Sequence, residues 1–103
     1  MKNIMDLQKM LKSAKEMQDR MQKEMAEMRI EGTSGGGMVA VVLDGRKHLL
    51  SLRLDPEVVN RDEIDMLQDL VVAAFNDAAA KVEEALNEKL GGLTGGLKIP
   101  GMV

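Results

Sequence analysis

The sequence predicts an α+β fold in the order helix, three short strands, helix, with a small antiparallel sheet between two long helices. Three observations lead there. Apolar residues recur at three- and four-residue steps from residue 3 to about 27, and again from 62 to 90. Between them lies a β-rich stretch, 28–54, punctuated by Gly35-Gly36-Gly37 and Asp44-Gly45. The second helix is also apolar all round from Leu70 to Phe75, so it needs cover on two sides. A chain this short supplies one cover, and the other is most simply a second copy of itself. A homodimer is therefore expected.

The first helix, 3–27, places Ile4, Leu7, Leu11, Ala14, Gln18, Met21, Met25 and Met28 on the a/d stripe of a coiled-coil seam. Gln18 is the one polar residue in that stripe, where it can help fix register. No Gly or Pro occurs before Gly32, so the helix runs unbroken for about 37 Å, and part of it should project from the body as an arm. Met5, Met10, Met17, Met21, Met25 and Met28 lie in this arm. They read either as a seam packed on a neighbouring helix or as an adaptable binding surface.

Ile30 and Thr33 favour a short strand over 28–33, and Ser34 to Gly37 reads as a loop. Met38 to Leu43 and Leu49 to Leu54 read as strands joined by a two-residue Asp44-Gly45 turn. Such a turn pairs Leu43 with Arg46, Val41 with His48 and Val39 with Leu50. Val39, Val41 and Leu43 then share a face with Leu50, Leu52 and Leu54. Asp55-Pro56 ends the strand. The second helix starts near Asp62, whose carboxylate with those of Glu63 and Asp65 suits the helix N-terminus. Gly91 is its expected stop. Its core and dimer contacts are expected at Leu67, Leu70, Val71, Ala74, Phe75 and Ala78. The organisation is thus a single domain over 1–90 (arm 1–27, sheet 28–54, core helix 62–90), followed by a flexible Gly-rich tail, 91–103.

Composition narrows the chemistry. Of 103 residues 45% are hydrophobic, but Phe75 is the only aromatic, so the core is small and oligomerisation is a natural remedy. The absence of Cys excludes disulfides and thiolate metal sites. Asp6, Lys9 and Lys12 interrupt any apolar leader, and no apolar run reaches the ~18 residues of a membrane span, so a soluble cytoplasmic protein is expected. His48 is the only His, Gly35-Gly36-Gly37 lacks the Lys-Ser/Thr of a phosphate loop, and Asp62, Glu63, Asp65 and Asp69 lack calcium-loop spacing. No enzyme, cofactor or metal site is expected.

The formal net charge is −3, but its distribution is uneven. The first 29 residues hold seven bases against five acids, and 61–103 hold four against eight. Lys9, Lys12, Lys15, Arg20 and Lys23 all lie off the seam. Spacing leaves two readings: a solvated face with Lys12–Glu16 and Lys15–Asp19 pairs, or a phosphate-contacting surface. No cluster suited to base-edge readout is present.

Leu54-Asp55-Pro56-Glu57, then Met66-Leu67, Asp69-Leu70-Val71-Val72-Ala73-Ala74 and Asn76-Asp77-Ala78, together resemble the YbaB/EbfC nucleoid-associated proteins of bacteria. Gly35-Gly36-Gly37-Met38-Val39 and the Gly91-Gly92-Leu93-Thr94-Gly95-Gly96-Leu97 tail are similar to that family too. The resemblance implies a tweezer-like homodimer of α-β-β-β-α subunits that binds duplex DNA in the cytoplasm and nucleoid and helps organise the chromosome or regulate genes. It also implies that the projecting helix makes the DNA contacts. On this chain that means Lys9, Lys12, Lys15, Arg20 and Lys23, with Arg46 and Lys47 of the hairpin turn beside them. The alternative is an adaptor that grips replication, repair or recombination proteins through the Met-rich arm. The exposed residues of the second helix are mostly acidic and stand outside the expected DNA contacts.

Overall fold

The computed structural model describes residues 4–93. In chain order it holds α1 (Ile4–Glu27), β1 (Ile30–Ser34), β2 (Val39–Leu43), β3 (Leu49–Leu54) and α2 (Ile64–Leu93). The strands make one antiparallel sheet in the order β1-β2-β3. This is the expected α-β-β-β-α arrangement.

The core forms where α2 crosses one face of the sheet. Val39, Val41 and Leu43 of β2 are buried together with Ala74, Ala78 and Val82 of α2, which recur every fourth residue along one helix face. Each of the three β2 side chains contributes about 1.5–3 kcal/mol by leaving water. Leu67, Leu70, Val71 and Phe75 pack against the same cluster from its margins. Ile30, Gly32 and Ser34 pair with Leu43, Val41 and Val39, so they lie on the same face under α2.

Gly32 sets how close the helix comes. A Cβ at this position would sit 2.6 Å from the Ala78 Cβ and would also collide with the Ala74 carbonyl and the Ala78 amide. Only a hydrogen against two alanines permits that approach. It lets α2 reach over the outer edge of β1. The Thr33 amide donates to Asp77 Oδ2 at 3.0 Å, and Lys81 Nζ donates to the Glu31 carbonyl at 3.3 Å. Ser34 Oγ donates to the Leu70 carbonyl. The edge that would otherwise invite another strand is closed from within.

The hairpin differs from its expected register. Val39 pairs with Leu54 and Val41 with Leu52, four residues further than a two-residue turn would give, and a bulge places Leu43 opposite Leu49. The turn is longer because Asp44 organises it. Asp44 Oδ1 accepts from the amides of Arg46 at 2.8 Å and His48 at 2.9 Å, while Lys47 takes a φ of 64°. A shift of four preserves the side-chain alternation, so Val39 and Val41 still share a face with Leu52 and Leu54.

The Asp55 carboxylate accepts from the Glu57 amide and the Asn60 side chain from the Asp62 amide, which forms two short 3-10 turns ahead of α2. The helix begins at Ile64 rather than near Asp62, and it passes through Gly91 to Leu93. Glycine permits a helix stop without enforcing one. The rest of the expected tail, 94–103, lies outside the described residues.

Two apolar regions stay uncovered. On β3, which α2 scarcely reaches, Leu49, Leu50 and Leu52 are about half exposed; on and just before α2, Val59, Ile64, Met66 and Val72 are exposed. α1 leaves the body beyond its C-terminal root: every residue from Ile4 to Arg20 is exposed. The molecule is consequently long, 73 × 29 × 17 Å, with a radius of gyration of 19.9 Å against about 13 Å for a compact chain of this length.

Gly32→Ala should destabilise the fold by about 2 kcal/mol or more, because neither backbone nor helix can yield without opening the core. A chemical denaturation curve measures it, and a midpoint equal to that of the original chain would mean the close approach does not matter.

Candidate nucleic-acid interface

The arm is anchored only at its root. Met21, Met25, Ala26 and Met28 are half-buried there. The Gly45 amide donates to the Met25 carbonyl at 2.7 Å, satisfying one of the acceptors a helix leaves open at its C-terminal end. Gly45 is buried, and a Cβ on it would lie 2.7 Å from Met28 Sδ and 2.8 Å from the Met25 oxygen. The hairpin turn is thereby locked against the end of α1. Glu24 Oε2 and Lys89 Nζ, 3.5 Å apart, tie the same end to α2.

Lys9, Lys12, Lys15, Arg20 and Lys23 are all exposed. At 3.6 residues per turn, Lys9, Lys12, Arg20 and Lys23 centre roughly 160° around the helix from the Ile4–Leu7–Leu11–Ala14 stripe, with Lys15 on its flank. From Lys9 to Lys23 the bases span about 21 Å along the axis. Among the described residues no ion pair joins Lys12 to Glu16 or Lys15 to Asp19, so the pairing that spacing offered is not made. Glu16, Asp19 and Glu27 share the basic side nevertheless. Charge is therefore graded along the arm: Ile4 to Lys15 carries three bases and one acid, Glu16 to Glu27 two bases and four acids. The positive end is the tip.

The other two expected contacts separate. Arg46 is exposed at the turn, whereas Lys47 is half-buried and its Nζ is bonded to Glu83 Oε1, which holds the Glu83 carboxyl below its ordinary range. His48 Nδ1 lies 3.3 Å from Asp44 Oδ2. Asp44 itself is 5% exposed. The His48 amide chiefly, with that of Arg46, keeps its carboxyl below the usual range against the opposing effect of burial. Sequence reasoning missed Asp44 and Gly45 as the parts that fix the turn to the arm. An Asp followed by Gly was visible there, but a two-residue turn accounted for both.

Among the described residues no cluster of three or more His, Cys, Asp or Glu could hold a metal ion, and no helix is long and apolar enough to cross a membrane. The expected core residues sit away from the arm: Ala74 and Ala78 are buried, and Leu67, Leu70, Val71 and Phe75 partly so, all against the chain's own sheet.

The chain is thus a small α+β body that projects an exposed helix with a basic tip. The chain belongs to the YbaB/EbfC DNA-binding family, which it matches over residues 1–97. It is 45% identical over 96 residues to a nucleoid-associated protein of Koribacter versatilis, covering 93% of this chain and 95% of that protein. A nucleoid-associated protein of Rhodospirillum rubrum is 48% identical over 103 residues, covering 97% and 94%. The fold is also similar to that of an uncharacterised Helicobacter pylori protein solved by crystallography, with a TM-score of 0.74 at 22% identity, covering 91% of this chain and 99% of that one. The family is a DNA-binding class, not an enzyme class.

The depressed Asp44 carboxyl gives the turn a pH signature. A lowered folded-state value contributes stability that is full above the ordinary carboxylate range of about 3.9 and is lost as pH falls through the depressed value. Asp44→Asn keeps an acceptor oxygen but loses the charge, so its Tm should lie below the original chain's at pH 7. The gap should narrow as pH falls from 7 to below the ordinary carboxylate range of about 3.9. Thermal unfolding across this range checks it; a gap that stays constant would mean the charge of Asp44 plays no part.

Proposed function

We propose that the protein acts as a homodimer that binds duplex DNA mainly through phosphate contacts and helps organise the nucleoid or regulate genes. The supporting observation is the arm: five exposed bases, none of them ion-paired among the described residues, on a helix that clears the body. Family membership makes DNA the partner. Lys9, Lys12 and Lys15 at the tip make the main contacts, Arg20 and Lys23 extend them towards the root, and Arg46 adds one at the turn. Lys47, already bonded to Glu83, contributes least. Phosphate contacts position a protein without reading sequence, which suits an arm without side chains arranged for base edges.

The homodimer is supported by the uncovered leucines of β3 and the exposed apolar residues of α2. β1 has its edge closed by Asp77 and Lys81, so β3 is the edge left for a second copy. The two arms would then project from one body and straddle a duplex. The adaptor reading draws on the exposed Ile4, Leu7, Met10, Leu11 and Met17 of the same arm. It predicts replication, repair or recombination partners that stay bound after nuclease treatment.

With about four phosphates neutralised, log K should fall against log salt with a slope near −3.6. Changing the five arm bases to Gln should remove most of the binding, and Lys9, Lys12 and Lys15 together should cost more than Arg20 and Lys23. Salt-titrated binding curves on duplex DNA decide it. A flat salt dependence, or affinity unchanged in the five-base variant, defeats the phosphate mechanism.

A further inference from the structure

We infer that the apolar stripe at the tip of α1 is a second self-association surface, on which arms of two separate molecules pair antiparallel. The stripe is broader than a two-stranded seam requires. Ile4, Leu7 and Leu11 occupy a and d positions, Met10 and Met17 widen them along one flank, and these five are between 56% and 72% exposed. Such a face, about three positions in seven, is one that packs against helices rather than against water. The same stripe continues into Met21, Met25 and Met28, which are half-buried at the root. The tip is the part of the seam left without a cover.

The occupant follows from the order of side chains. Antiparallel pairing sets a positions against d positions, so a two-fold centre beside Lys9 gives four layers: Ile4 with Ala14, Leu7 with Leu11, and the same two pairs again from the other copy. The large ends meet small ones and the leucines meet each other, so the stripe is complementary to itself. Next to that centre the flanking residues are Gln8 and Met10, which bring no like charges together. Lys9 and Lys12 point away from the seam. Two arms joined in this way would bury on the order of 1,000 Å² in total, near the lower end of specific interfaces, so the association is weak, in the micromolar range.

The consequence rests on the phosphate-contact reading above. Because Lys9, Lys12, Arg20 and Lys23 lie opposite the seam, with Lys15 on its flank, paired arms carry their positive sides outward in opposite directions. Each side can hold a different duplex. Arm pairing therefore turns a DNA-binding dimer into a bridge between two DNA segments.

The first test needs no DNA, so its failure is separable from failure of the DNA reading. Sedimentation of the full chain from low to high micromolar concentration should show a mass step that is absent in Leu7→Gln/Leu11→Gln. Both residues are exposed in the structure and glutamine keeps the helix and the charge, so the variant should fold. The chain has no Cys, so Gln22→Cys places one spin label on each arm. Antiparallel pairing centred at residue 9 separates two such labels by about 39 Å along the axis, a distance that should vanish in the double-Gln background. Parallel arms would instead bring them to about 10 Å, the spacing of packed helices. The proposal is overturned by the absence of a mass step, by a step that survives in the variant, or by the short distance. With DNA present, capture of a second duplex by a tethered one should fall at least tenfold in the variant, while affinity for a single duplex stays within twofold. Undiminished capture would overturn the bridging role alone.

Discussion

The close approach of α2 to β1 at Gly32 governs the rest of the body. With a hydrogen facing Ala74 and Ala78, the helix sits low enough for Asp77 and Lys81 to reach past the sheet plane and satisfy the Thr33 amide and the Glu31 carbonyl. One contact thus sets core thickness and closes an edge. It also creates an asymmetry. A helix drawn over β1 cannot also lie over β3, so the leucines of β3 stay half exposed. The fold finishes one edge of its sheet by itself and leaves the other open.

The arm depends on a second close approach. Gly45 presents its amide to the Met25 carbonyl and its bare Cα to the Met28 sulfur. The turn that contains Gly45 is shaped by a single carboxylate, Asp44, which gathers two amides. Arm direction is therefore set by the β2–β3 turn, not by a broad helix–helix contact. The outer part of the arm's apolar stripe, Ile4, Leu7, Leu11 and Ala14, is exposed as a result. A helix held at one end keeps both of its faces available, and here the two faces differ in chemistry.

Element order, the core face of β2 and the small-residue face of α2 were legible in the sequence because periodicity reports burial directly. The hairpin register was not. Asp44-Gly45 has the composition of a two-residue turn, and the side-chain pattern of Leu49 to Leu54 is unchanged by a shift of four, so alternation could not detect the error. The hydrogen bonds that lengthen the turn depend on where Asp44 sits relative to α1, a tertiary fact. The end of α2 was not legible, since nothing in spacing distinguishes a glycine that ends a helix from one, like Gly91, that is carried along. For the candidate interface, the five bases were identifiable by type and position. Their freedom from Glu16 and Asp19 was not, since helical spacing permits those pairs without requiring them. The two parts of the turn also separated only in three dimensions, where Glu83 claims Lys47 and leaves Arg46 exposed.

A net charge of −3 does not oppose a DNA-binding role in a molecule of this shape. At physiological salt, charges interact over about 8 Å, whereas the tip of α1 is separated from its root by about 36 Å of helix. The acids of α2 and those at the root of the arm, Glu24 and Glu27, are thus electrostatically remote from Lys9, Lys12 and Lys15, whereas Glu16 and Asp19 lie within about one turn of Lys12 and Lys15. The local field of the tip is net positive, since Ile4 to Lys15 carries three bases and one acid. Elongation spreads a weak gradient of charge along the sequence into a positive tip set apart from the acidic body. A compact fold of the same composition would average that gradient away, so the projecting geometry is what keeps a positive tip on an acidic protein.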